Sequence, residues 1–186
     1  MLSQAFLLST GIVALAEIGD KTQLLALLLA TRFKKPVPII TGIFVSTILN
    51  HFAAAWLGQY ASGFINMQML KWLLAASFIG MAIWMLIPDK LDEETRLLNK
   101  LGVFGATVVA FFLAEMGDKT QIATVALSAR YHDTVSVVMG TTLGMMIANV
   151  PAVLLGEVAT RKLPITLVHR VAAGLFVVVG VLTFMA

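Results

Sequence analysis

The chain has 186 residues, of which 59% are hydrophobic and 12% charged, with a net charge of +3 and no cysteine. Soluble domains carry about 25% charged residues, so the composition argues against an ordinary soluble fold, and the lack of cysteine excludes disulfides, thiolate metal sites and thiol catalysis. The basic excess does not indicate a nucleic-acid partner, because the basic residues sit singly between apolar blocks and nowhere cluster with aromatics.

Six apolar segments follow in chain order: Leu2–Thr31, Val37–Gly58, Met69–Ile87, Leu101–Ala129, Val135–Gly156 and Ile165–Met185. Each is long enough to cross a hydrocarbon core, which takes ~20 residues. The pattern predicts an all-α, polytopic membrane protein with six transmembrane helices. The first segment lacks a positive region before its apolar stretch and continues through a charged motif, so it reads as a retained helix and not as a cleaved signal peptide. The first and fourth segments would run ~45 Å as straight helices, against a core of ~30 Å. They must tilt, extend into solvent or break, and each contains a glycine beside charged residues where a break fits.

Arg32, Lys34, Lys35, Lys90, Arg96, Lys100, Arg161, Lys162 and Arg170 fall on one side of such a topology, and only Lys71 and Arg130 on the other. The basic side is expected to be cytoplasmic, which puts both termini outside. Trp56, Tyr60, Trp72 and Trp84 lie near segment ends and suit interfacial belts or interhelical packing alike. His132, Asp133, Glu157 and His169 also lie near segment ends and read as interfacial.

The chain repeats itself. The eight residues Ala16 to Gln23 match Ala114 to Gln121 at seven positions with an offset of 98, and at that offset Arg32 meets Arg130, Gly42 meets Gly140 and Gly58 meets Gly156. Three spans per copy is an odd number, so the second copy enters from the opposite side, as in inverted-repeat secondary transporters. The expected division is a first three-helix repeat over 1–87, a charged cytoplasmic linker over 88–100 and a second three-helix repeat over 101–186.

Four of the ten acidic residues, Glu17, Asp20, Glu115 and Asp118, lie within the apolar segments, each motif beginning about fifteen residues into its span. A charge at the centre of a membrane helix costs ~2.5–3.5 kcal/mol, so these carboxylates must be paired, protonated, hydrated or bound to something. Spacing of i and i+3 puts Glu17 with Asp20, and Glu115 with Asp118, on one helical face. Thr22, Thr120, Gln23 and Gln121 add oxygens nearby. Such an oxygen cluster suits hard cations such as Ca²⁺, Mn²⁺ or Mg²⁺, and not Cu⁺ or structural Zn²⁺. With Lys21 and Lys119 ionised, the four carboxylates leave a charge of −2. One divalent cation or two protons would discharge it, which is the basis of an exchange mechanism. The competing structural reading is that the lysines pair with the carboxylates only to hold helices together.

Ser46, Thr47, Asn50 and His51 on the second segment, and Thr141, Thr142 and Asn149 on the fifth, are secondary polar positions that either line a pathway or bond helices together. His51, which aligns with Asn149, is a proton relay, a ligand or a structural group. Pro151 cannot bond the carbonyl of Ile147, which leaves an oxygen near Asn149. Met116 stands where the first copy has Ile18 and reads first as core packing, with a soft-ligand role as the alternative.

The doubled Glu-x-Gly-Asp-Lys-Thr motif resembles the signature of the Gdt family of divalent cation–proton exchangers, and the resemblance covers the whole chain. The family implies Mn²⁺ or Ca²⁺ as transported substrate, and a short two-repeat chain with a small linker looks like its bacterial manganese exporters. Manganese comes from that resemblance and not from composition or spacing. The resulting expectation is a non-enzymatic transporter in the inner (plasma) membrane of a prokaryote, exporting the cation against protons and requiring no cofactor. Glu17, Asp20, Glu115 and Asp118 would hold the metal, supported by Lys21, Thr22, Gln23, Lys119, Thr120, Gln121, Asn50, His51 and Asn149. The rivals are an exporter of a small organic cation or amino acid, a membrane-embedded hydrolase and an accessory subunit. Self-association into a homo-oligomer is left open by the sequence.

Overall fold

The computed structural model describes residues 4–64, 66–84, 101–155 and five positions between 170 and 181. Among these residues the architecture is all-helical. In chain order the helices are α1 (Gln4–Glu17), α2 (Lys21–Phe33), α3 (Pro36–Ser62), α4 (Met67–Trp84), α5 (Gly102–Glu115), α6 (Lys119–Tyr131) and α7 (Thr134–Leu155). Two stretches, Pro36–Ser62 and Thr134–Leu154, are long and apolar enough to cross a membrane, and α1 and α5 are shorter apolar helices. The segments expected at Val37–Gly58, Met69–Ile87 and Val135–Gly156 correspond to α3, α4 and α7, and α7 continues through Pro151. The linker over 88–100 and most of Ile165–Met185 lie outside the described residues.

The first and fourth segments each break in two at the acidic motif. Gly19 and Gly117 take φ of +82° and +75°, a left-handed conformation that glycine adopts without the Cβ penalty other residues meet. Asp20 and Asp118 follow in extended backbone as the N-caps of α2 and α6, where an acidic residue is favoured. Three residues on, Gln23 and Gln121 reach back, and their Oε1 atoms accept from Gly19 N (2.9 Å) and Gly117 N (2.7 Å). Asp-x-x-Gln thus acts as a variant of the capping box, supplying an acceptor to an N–H that the broken helix leaves without one. Both α2 and α6 then end on a left-handed residue, Lys34 and His132, whose N–H returns to Ala30 O and Ser128 O.

Packing repeats at the same offset of 98. Helix α1 packs along α7, and α3 packs along α5 and α6. A Cβ on Gly42 would lie 2.7 Å from Thr107 Cβ and 3.1 Å from Phe104 O, and one on Gly140 would lie 3.0 Å from Ser9 Cβ and 2.5 Å from Phe6 O. Only glycine permits these crossings to close, in the manner of small-residue contacts between membrane helices. Two apolar clusters follow the same rule. Leu25, Leu29 and Ile39 belong to one, and their counterparts Ala123, Leu127 and Val137 to the other. Outside both clusters, a set of polar and charged side chains is buried at the helix breaks.

Candidate cation site

Each helix break delivers two carboxylates to the interior. Glu17 is the last residue of α1 and Asp20 caps α2, and Glu115 and Asp118 stand likewise at the end of α5 and the start of α6. All four are buried. The members of each pair therefore lie on opposite sides of a break, and this corrects the expectation that i and i+3 would share one helical face. Glu17 and Asp20 still meet across their break, because the chain changes its backbone conformation at the intervening glycine.

The two motifs are cross-linked by charge. Lys119 Nζ lies 2.9 Å from Asp20 Oδ1, and Lys21 Nζ lies 3.4 Å from Asp118 Oδ1. Lys119 is fully buried, whereas the Lys21 side chain is 26% exposed, so the two crossed pairs differ in their access to solvent. Carboxylate oxygens of Glu17, Asp20 and Asp118 all lie within 4.8 Å of one another. Two oxygens at opposite sides of one Ca²⁺ stand ~5 Å apart, so a single hard cation can span this trio. Glu17 Oε2 accepts from Thr22 Oγ1, while its Oε1 has no hydrogen-bond partner among the described residues.

Glu115 stands apart from the trio and is held from α3. Thr47 Oγ1 donates to its Oε1 at 3.2 Å and Asn50 Nδ2 to its Oε2 at 3.4 Å, with His51 Nε2 4.0 Å from the same Oε2. Asn50 also donates to Phe112 O at 3.1 Å. His51 is fully buried. Thr47, one of the secondary polar positions of the second segment, shares a face with Asn50 and His51 through its i+3 and i+4 spacing.

The remaining predicted positions divide by use. Gln23 and Gln121 spend their amide oxygens on the glycine N–H groups of the breaks, and Gln23 Nε2 also donates to Ala148 O at 3.0 Å. Thr120 Oγ1 is buried without a hydrogen-bond partner among the described residues. Asn149 is buried on α7 and donates to Met145 O at 3.1 Å, and its Oδ1 has no hydrogen-bond partner among the described residues. Met116 is 55% exposed, against the core-packing reading of that position. Two breaks, four buried carboxylates and two lysines thus create an acidic interior with a formal charge of −2. Its donors are hard oxygens that suit a divalent cation such as Ca²⁺, Mg²⁺ or Mn²⁺.

Comparison with known proteins agrees with this chemistry. The chain matches the family described as "Divalent cation/proton antiporter GDT1" over residues 5–93 and 103–186. It is 54% identical over 177 residues to a Vibrio cholerae protein named "Putative manganese exporter", covering 95% of this chain and 88% of that one. It is 28% identical over 203 residues to a GDT1-like protein of Synechocystis, covering 95% and 96% of the two chains. A GDT1-like protein of Arabidopsis thaliana is 25% identical over 218 residues, covering 97% and 95%. No solved structure gives a significant match.

Proposed function

The chain belongs to the GDT1 family of divalent cation/proton antiporters, and from that premise we propose that it exports Mn²⁺ from a prokaryotic cytoplasm across the inner membrane in exchange for protons. The observation that carries this reading is the meeting of Glu17, Asp20 and Asp118 at two helix breaks. Broken helices that direct their ends at a buried site are how secondary transporters build ion sites away from water. Preference for Mn²⁺ over Ca²⁺ is supported by the 54% identity to the Vibrio cholerae protein.

In this reading six spans form two inverted three-helix units, 1–87 and 101–186, joined by a cytoplasmic linker over 88–100, with both termini outside. Glu17, Asp20 and Asp118 bind the cation. Glu115, held by Thr47 and Asn50 beside His51, supplies the fourth negative charge and a place for a returning proton. With the cation absent, Lys21 pairs with Asp118 and Lys119 with Asp20. A net charge of −2 is met by one divalent cation or by two protons, so either load leaves the interior neutral. Exchange follows when only the loaded, neutral forms rearrange, because an uncompensated charge at membrane depth is costly.

The test is transport by the purified chain in sealed vesicles. An imposed pH gradient should drive Mn²⁺ against its own gradient, and a Mn²⁺ gradient should move protons in the opposite direction. Mn²⁺ movement indifferent to the pH gradient would refute the exchange, and absence of Mn²⁺ and Ca²⁺ movement would refute the transport reading.

A further inference from the structure

We propose that Met145 sets the metal preference of the site by presenting its thioether to the cation on the Glu17 side. The inference rests on the cation-transport reading above and adds a ligand of different chemistry from the acidic motif.

Several packing contacts of the two halves correspond. Gly42 abuts Phe104 and Thr107, and at the offset of 98 Gly140 abuts Phe6 and Ser9. The Asp20–Lys119 pair likewise has its counterpart in Asp118–Lys21. Thr47 meets Glu115, and the same rule pairs Met145 with Glu17. The path of α7 agrees. A Cβ on Gly144 would meet Thr10 O, Ala14 N and Val13 Cβ within 2.9 Å, one turn before Glu17 on α1. Beyond it, the carbonyl of Ala148 is held by Gln23 Nε2, three residues into α2 from the cap at Asp20. Met145 lies between these two fixed points. It is fully buried and among the largest such side chains, yet it belongs to neither apolar cluster.

The substitutions around the two glutamates have opposite chemistry. Glu115 faces Thr47, Asn50 and His51, whose first two members donate to it. The matching positions toward Glu17 are Met145, Ala148 and Asn149. Thr47 gives way to a sulfur, and the amide of Asn50 gives way to a methyl. Glu17 Oε1 correspondingly has no hydrogen-bond partner among the described residues. Hydrogen-bond donors occupy a carboxylate, whereas an uncommitted oxygen and a thioether at the matching position can share one ion. Thioether ligands favour softer cations, so one sulfur among oxygens raises affinity for Mn²⁺, and more so Cd²⁺, relative to Ca²⁺ and Mg²⁺.

The experiment uses the full chain in two measurements. X-ray absorption on the Cd²⁺-loaded protein should find one sulfur in the metal's shell, and Met145→Leu should remove it. An oxygen-only shell in the wild type would overturn the proposal. In vesicles, Met145→Leu and Met145→Thr should lower the Mn²⁺-to-Ca²⁺ transport ratio on the order of tenfold, the lower end of what a tuning residue beside a metal contributes, with Ca²⁺ transport retained. An unchanged ratio in Met145→Leu alongside normal wild-type Mn²⁺ transport would overturn this inference alone. A wild-type protein that moves neither Mn²⁺ nor Ca²⁺ would overturn it together with the reading on which it rests.

Discussion

The ammonium of Lys119 sits 2.9 Å from the carboxylate of Asp20, so the second acidic motif supplies the counter-charge of the first. The reciprocal pair, Lys21 with Asp118, is longer at 3.4 Å and reaches solvent through the exposed part of Lys21. Two crossed pairs tie the halves together at the helix breaks. Their difference in burial makes the Lys21 pair the easier one to open.

Removing the lysine from a fully buried pair leaves a charge without its partner and costs ~3–5 kcal/mol, and the cost falls where the lysine is partly exposed, as Lys21 is. Lys119→Met should therefore destabilise the detergent-solubilised protein more than Lys21→Met. The double variant Lys119→Met with Asp20→Asn should recover part of the loss. Thermal unfolding in the absence of divalent cations checks this, and equal effects of the two single variants would contradict it.

Gly19 and Gly117 hold φ values of +82° and +75° at the breaks that separate Glu17 from Asp20 and Glu115 from Asp118. Alanine in this conformation costs ~1–2 kcal/mol. Gly19→Ala and Gly117→Ala should each lower stability by about that amount, and should lower Mn²⁺ transport more severely, because the carboxylates move with the backbone. Alanine at Gly11, where an added Cβ meets nothing within 4 Å, is the control and should leave transport intact.

The segment lengths and the paired glycines in the sequence already indicated where the helices break. The repeat also indicated which residues the two halves share. What the motif could not show is that Glu17 and Asp20 stand at opposite helix ends. The i and i+3 rule presumes a continuous helix, and Gly19 ends it. The capping bond of Gln23 was illegible for the same reason. Its oxygen is directed to the Gly19 N–H, a donor that exists only once the helix is broken. The separation of Glu115 from the other three carboxylates depends on Thr47 and Asn50, which lie more than sixty residues away in the chain. No local pattern encodes that contact.

Asn50 bonds both Phe112 O and Glu115. Asn50→Leu leaves two buried acceptors without this donor, at ~1–3 kcal/mol for each group left unsatisfied. The variant should be less stable than Thr47→Val, which removes one donor. Both should slow proton-coupled Mn²⁺ transport while leaving equilibrium Mn²⁺ binding within a fewfold of wild type. A loss of binding as large as that of Asp20→Asn would place Glu115 in the cation's first coordination sphere and contradict the division of roles.

Asp133 caps α7, its Oδ1 accepting from Ser136 N at 3.0 Å, and the Ser136 side chain, together with that N–H, holds its carboxyl below the ordinary carboxylate range. A depressed value means that the cap contributes fully above that range and is lost as pH falls through the lowered value. Asp133→Ala should cost ~1 kcal/mol near neutral pH and Asp133→Asn much less, as expected for N-caps. The gap between wild type and Asp133→Ala in thermal unfolding should close in strong acid. A gap that widens on acidification would contradict the assignment.

Metal binding to carboxylates displaces protons, so Mn²⁺ binding should release protons into weakly buffered solution and should tighten as pH rises. Isothermal titration in two buffers of different ionisation enthalpy measures the number released. A pH-independent affinity with no proton release would remove the basis for exchange.

Direct titration of Mn²⁺ into the purified protein tests most sharply whether the two helix breaks build one cation site. One ion per chain should bind, and Glu17→Gln, Asp20→Asn and Asp118→Asn should each weaken it by at least about tenfold, with Glu115→Gln affecting binding least. Two independent ions per chain, or unchanged affinity in Asp20→Asn and Asp118→Asn, would contradict the account.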